Sequence, residues 1–331
     1  MVPRRFTLIV PIVGAVFAHL AFAAGSHYAV TGQIDAPEGA WTFASIDPIK
    51  RRLYVGRTHG VLAVDLKTRK ATAFPLDGRR VQMIVPVPGS DLVVGTLDTA
   101  NAAVILDGRS GVVRGKIPAG RRPETAAYDP ASGLVAVMAG SAEVTLIDPK
   151  ANAAVGSIPV DGILESGAAD GKGRLFINLE DKGAIAVIDL TARKVVGTYA
   201  LRGCESPTGL GYDTKARLLI SACSNQVAKV IDSMSGADRG TLRIPSGPDA
   251  VLVDTERRMA FIPCSEGRLA VISLAGPRPE WIESIPTALG AQTGAVDPAT
   301  GRVYLPVGRS PATDFGARAV PGFAVLVVER E

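Results

Sequence analysis

An aspartate closes an apolar run every 41 to 43 residues along much of this 331-residue chain. Asp65, Asp107, Asp148, Asp189 and Asp232 end the segments VLAVD, AVILD, VTLID, IAVID and AKVID, and Ser273 continues the series in LAVIS. A β-type unit repeating every ~40–45 residues is the signature of a β-propeller blade. A second series sets the register. Asp47, Asp129, Asp170, Asp213, Asp254 and Asp297 end another set of short apolar runs, most of them before Pro or Gly. In the one unit that lacks this aspartate, Val87-Pro88-Gly89 occupies the turn. Seven units result, beginning near residues 42, 82, 124, 165, 208, 249 and 292. Each reads as four short strands separated by turn residues, the content of one propeller blade.

The last unit lacks a fourth strand. The segment from His27 to Ile34 reads as a strand without a unit of its own. It is therefore expected to complete the seventh blade, which closes the ring and removes exposed sheet edges. The predicted fold is all-β: a seven-bladed β-propeller of four-stranded blades, filling residues 24–331 as one domain. At 5% aromatic and 47% hydrophobic, its core must be mostly Val, Ala, Leu and Ile, which suits strands packed face to face.

Residues 1–23 read differently. Arg4 and Arg5 precede an uncharged apolar run, and Ala21-Phe22-Ala23 supplies small residues at a cleavage site. This is the three-part pattern of a secretory signal peptide, so a periplasmic or secreted protein is expected. No later stretch is long enough to span a membrane. Loss of Arg4 and Arg5 would lower the formal net charge from +4 to +2. So small a charge argues against nucleic acid, which calls for a clustered basic face.

Residues 173–197, GRLFINLEDKGAIAVIDLTARKVVG, resemble the YVTN-type propeller repeat, with Leu53-Tyr-Val-Gly56 and Val303-Tyr-Leu-Pro306 as weaker copies. The resemblance extends over the whole chain after the leader and is greatest to YncE-like periplasmic proteins. It implies an exported propeller that serves mainly as a binding scaffold; a monomer is expected, with a periplasmic protein or a small polar ligand as its partner. One fold carries many functions, so activity must be argued from the site.

Aligned on the second aspartate series, the units place a polar residue five positions before the turn. These residues are Thr42, Gln82, Glu124, Glu165, Thr208, Asp249 and Gln292. On innermost strands they would form a ring at one channel mouth, above a throat of Ala44, Ile84, Ala126, Gly167, Leu210, Val251 and Gly294. Two readings stand side by side. The ring binds a ligand or a divalent cation such as calcium, which carboxylate oxygens suit, or it is simply wet. No dedicated metal motif is present. Arg79-Arg80 and Arg121-Arg122 enter the same mouth, where Arg80 and Arg122 would suit a phosphate or carboxylate. Arg51-Arg52 and Arg257-Arg258 fall in turns of the opposite face and are expected to face solvent. The long Gly308–Gly322 loop would bring Asp314, Phe315 and Arg318 over the mouth as a partial lid.

Three cysteines cluster. Cys204 and Cys223 flank one blade and are expected to form a disulfide, as suits an exported chain, leaving Cys264 free. Catalysis finds little support, because His59 is the one plausible imidazole base and no nucleophile motif fits an all-β chain. The alternatives to a binding scaffold are a metal-dependent lactonase or ester hydrolase with a carboxylate site in the channel, and a face for cell-wall polymer or nucleic acid.

Overall fold

Each repeat folds into one antiparallel four-stranded sheet in a computed structural model, which describes residues 27–313 and 316–331. The expected signal peptide and two residues of the expected lid, Asp314 and Phe315, lie outside the described residues. Seven such sheets are present. In the first blade the strands run outward from the channel as Trp41–Asp47, Arg52–Arg57, Gly60–Asp65 and Ala71–Pro75. The next five blades repeat this sequential order. The seventh differs as anticipated: Tyr28–Asp35 pairs with Ala324–Arg330 and supplies the outer strand.

The core lies between neighbouring sheets. Leu53, Val55, Leu62 and Val64 of blade one pack against Val325 and Val327 of blade seven in one buried cluster. Strands covered on both faces read as continuous apolar runs rather than alternations. That is why VLAVD and its copies stand out in the sequence. Each such side chain contributes roughly 1.5–3 kcal/mol by leaving water.

The periodic aspartates are turn residues. Oδ1 of Asp65 accepts the backbone N–H of Lys67 and Thr68, both at 2.9 Å. Asp107, Asp148, Asp189 and Asp232 repeat this bond pattern. A short acidic side chain satisfying the N–H groups two and three residues on is what favours Asp in such turns.

The second series goes deeper. Asp47, Asp129, Asp213, Asp254 and Asp297 are all buried. A buried carboxylate needs a partner, and turn arginines supply it for Asp213, Asp254 and Asp297, while Lys50 approaches Asp47. Arg258 of blade six reaches Asp213 of blade five at 2.6 Å, and Arg51 of blade one reaches Asp297 of blade seven at 2.8 Å. Arg257 bonds Asp254 at 2.9 Å and Pro298 O of the next blade at 3.0 Å. Arg52 donates to Gly108 O of blade two at 2.6 Å. The expectation that these four arginines merely face solvent is thus corrected: they clasp adjacent blades. Asp129 is the exception. Its Oδ1 has no partner, because blade four carries Gly173 where blades one and six carry Arg51 and Arg258.

Candidate functional site

The polar ring assembles, with two exceptions of role. Gln82, Glu124, Glu165, Asp249 and Gln292 line a cavity of about 400 Å³ at one mouth of the channel, bordered also by Thr42 and Arg80. Thr208 is not among its lining; its hydroxyl donates to Pro248 O of the next blade at 3.2 Å. The Thr42 hydroxyl donates likewise to Val81 O at 2.8 Å. Thr125 and Thr293 make the same kind of bond across blades, to Glu165 O and Thr42 O. A β-hydroxyl is too short to pass the neighbouring strand, so at these positions threonine ties blades together. The longer amides and carboxylates extend into the cavity.

The throat below is apolar and measures about 240 Å³. Six of its expected residues line it, but Met83 stands where Ile84 was expected. Ile84 is fully buried within the blade. The inner strand of blade two is short, Ile84–Pro86, and the Met83 N–H is held by Thr96 Oγ1 at 3.0 Å. That shifts the inward position by one residue. Phe43 borders both spaces, so throat and mouth meet there.

Trp41 is the residue that sequence reasoning missed. It lines the mouth beside Thr42. Its ring lies 5.9 Å from that of Phe323. Gly308 makes room for it, since a Cβ there would stand 2.4 Å from the indole. The signal was available: one of only two tryptophans directly precedes a ring position.

The arginines are placed unevenly. Arg80 borders the cavity and pairs with Asp98 at 3.8 Å. Arg122 does not line it; its backbone adopts a φ of 54° and its N–H is held by Asn101 Oδ1 at 3.0 Å. Arg318 does not lean over the mouth. Its N–H bonds Thr287 O at 2.6 Å and its guanidinium bonds Val30 O, on the outer strand of blade seven, at 2.9 Å. Arg318 is thereby held on the outer strand of blade seven, which corrects its expected lid role.

Electrostatics single out the carboxylates. Glu165 is pushed up to about 8, first by burial and then by the charges of Glu124, Glu180 and Asp249. Asp249 is pushed up to about 6 by burial, against the bond it accepts from Gln292 at 3.2 Å. Burial also raises Glu124, opposed mainly by Arg122. Short 3-10 turns at Asp98–Ala100 and Glu180–Lys182 carry two of the contributing charges, Asp98 and Glu180. Among the described residues no three His, Cys, Asp or Glu side chains are close enough to share one metal ion. His59 is exposed and borders a separate, smaller pocket, and His27 bonds Glu283 at 2.9 Å. Neither imidazole lines the mouth.

Cys204 and Cys223 form the expected disulfide, with Cα atoms 5.4 Å apart. Cys264 is free and buried, and burial pushes its thiol well above the usual range. No helix among the described residues is long and apolar enough to cross a membrane.

The chain is a seven-bladed β-propeller, and solved structures agree. A chain of Kuenenia stuttgartiensis hydrazine synthase superposes with a TM-score of 0.71 at 14% identity, covering 84% of this chain and 96% of that one. A chain in the crystal structure of the mitotic checkpoint complex gives 0.76 at 12% identity, with 99% of each chain covered. The RRP9 WD40 repeats give 0.77 at 8% identity, with 91% and 97% covered. At such identities the likeness shows the fold alone. No family model matches the chain, and no curated protein matches it.

Proposed function

We propose that this chain is an exported binding propeller that takes a small polar ligand at the channel mouth. The observation that carries this reading is the cavity itself. Glu124 and Glu165, both half-buried, line a space of about 400 Å³ and make no ion pair among the described residues. Ligand pockets commonly have this concave form, with a few convergent polar groups over apolar walls. The disulfide and the N-terminal sequence pattern support export, because disulfides persist in oxidising compartments. The YVTN-type resemblance agrees with both points. One structural neighbour is a chain of the mitotic checkpoint complex, which leaves a protein partner on the same face compatible with this reading.

The spacing of the carboxylates favours binding over a metal-dependent hydrolase, because they are not gathered into a shared ligand set. The test is a thermal-shift screen of the mature protein against sugars, amines, lactones, nucleotides and metal ions. A ligand of the mouth should raise the melting temperature, and Ala at Glu124, Glu165 and Asp249 should abolish the rise. Stabilisation that survives all three substitutions would place the binding site elsewhere.

A further inference from the structure

The mouth is asymmetric in charge. Arg80 and Arg122 both act on Glu124. The groups acting on Glu165 are Glu124, Glu180 and Asp249, all acidic, and those on Asp249 are the Gln292 amide and Glu124. Glu165 and Asp249 belong to blades four and six. Blade five, between them, contributes Thr208, whose hydroxyl is directed to the backbone. Among the described residues that line the mouth, the side formed by blades four to six carries acids and no Lys or Arg.

A second observation is independent of the acids. Gln82 is 9% exposed and lines the cavity, yet its amide makes no hydrogen bond among the described residues. An amide that lines a cavity without a protein partner is free to meet water or a ligand there. The apolar throat continues beneath, past Phe43, and the indole of Trp41 walls the mouth. Aromatic faces attract cations.

Building on the ligand-binding reading above, we propose that the mouth binds a small organic amine. Its ammonium lies between Glu165 and Asp249, its apolar stem enters the throat, and the Gln82 amide meets a polar substituent. A bare metal ion fits less well. Calcium gathers six to eight oxygens at ~2.3–2.6 Å, whereas these carboxylates are dispersed around a cavity. An ammonium needs only two or three acceptors and brings its own apolar body.

Proton competition gives this proposal its own readout. Glu165 holds its proton up to about pH 8 in the free protein. An arriving ammonium favours the carboxylate, so that proton passes to the buffer. Affinity should rise by up to about tenfold per pH unit between pH 6 and 8. Calorimetry in buffers of different ionisation enthalpy should register proton release.

The experiment compares n-hexylamine, methylamine, 1-hexanol and hexanoate against the mature protein, by calorimetry and thermal shift. Hexylammonium should bind best, methylammonium more weakly for lack of a stem, and hexanol and hexanoate not measurably. Glu165→Gln and Asp249→Asn should each weaken hexylammonium by about tenfold or more, with folding checked by circular dichroism. Either variant suffices if the other fails to fold. Equal binding of hexanol, preference for hexanoate, or affinity that is flat with pH would overturn the proposal. If a neutral sugar or an anion binds and is lost on these substitutions while amines do not bind, the mouth remains a ligand site and the amine assignment falls. Amine binding unaffected by both substitutions would overturn it as well.

Discussion

The two faces of this propeller both withdraw carboxylates from water, completely on the turn face and partly at the mouth, and treat them in opposite ways. On the turn face, Asp213, Asp254 and Asp297 receive a turn N–H on one oxygen and an arginine on the other. At the mouth, Glu165 receives neither, and its proton is held to about pH 8. Some withdrawal from water is common to both; partnership is not. A buried charge with a complete set of partners serves to hold blades together, and removing one partner is expensive. A buried acid without partners destabilises the fold unless something external meets it. The difference separates scaffold from candidate site more clearly than residue type does.

The contrast is sharpest where a clasp can be removed. Arg258→Ala leaves Asp213 buried without its cation and should cost about 3–5 kcal/mol in chemical denaturation. A loss under 1 kcal/mol would mean that the clasp is decorative. On the mouth-side loops of blade five, breaking the Cys204–Cys223 bond by Cys223→Ser should cost about 3 kcal/mol, since the bridge closes a loop with a sequence separation of 19. Thiol titration of the denatured, unreduced protein should find one thiol, that of Cys264.

The mouth should respond with the opposite sign. Glu165→Gln should stabilise the unliganded protein by roughly 1–2 kcal/mol at pH 8, a value discounted from the full shift because the mouth is open to water. The pH dependence follows from the raised value. The folded protein binds the Glu165 proton more tightly than the unfolded chain, so its contribution is fully present below the ordinary carboxyl range. It is lost as pH rises to about 8, and Asp249 adds a smaller loss completed near pH 6. Melting temperatures from pH 4 to 9 should show this decline in the parent and a shallower one in the variant. The smallest effect belongs to the exception on the turn face. Asp129 lacks a clasp, so Asp129→Asn should change stability by under about 0.5 kcal/mol. A large loss there would show that the unpartnered oxygen is satisfied by ordered water.

The fold was legible because blade strands are covered on both faces, which writes the period into the sequence as apolar runs closed by Asp. The candidate site was legible in part. Register alone brought Gln82, Glu124, Glu165, Asp249 and Gln292 to one mouth. It did not distinguish Thr208 from Glu165, because reach across the neighbouring strand depends on side-chain length in three dimensions. Nor did it reveal Arg51 and Arg258 as clasps, since the aspartate each one meets lies in an adjacent blade. Met83 was missed because blade two lacks the Asp turn on which the alignment rested. Trp41 was passed over because it precedes the ring position that had been aligned.

The closing strand has a consequence for how the molecule is made. Thr31 bonds Val327, 296 residues away. In synthesis the strand Tyr28–Asp35 emerges well before its partner Ala324–Arg330. Six blades can pack while this early strand waits unpaired, and the seventh presents an open edge until the two ends meet. Such an edge is a template for association with other chains, and contacts of such long sequence separation form slowly. Joining of the ends is therefore the expected slow step in maturation, and the interval before it is when the nascent protein is most exposed to aggregation.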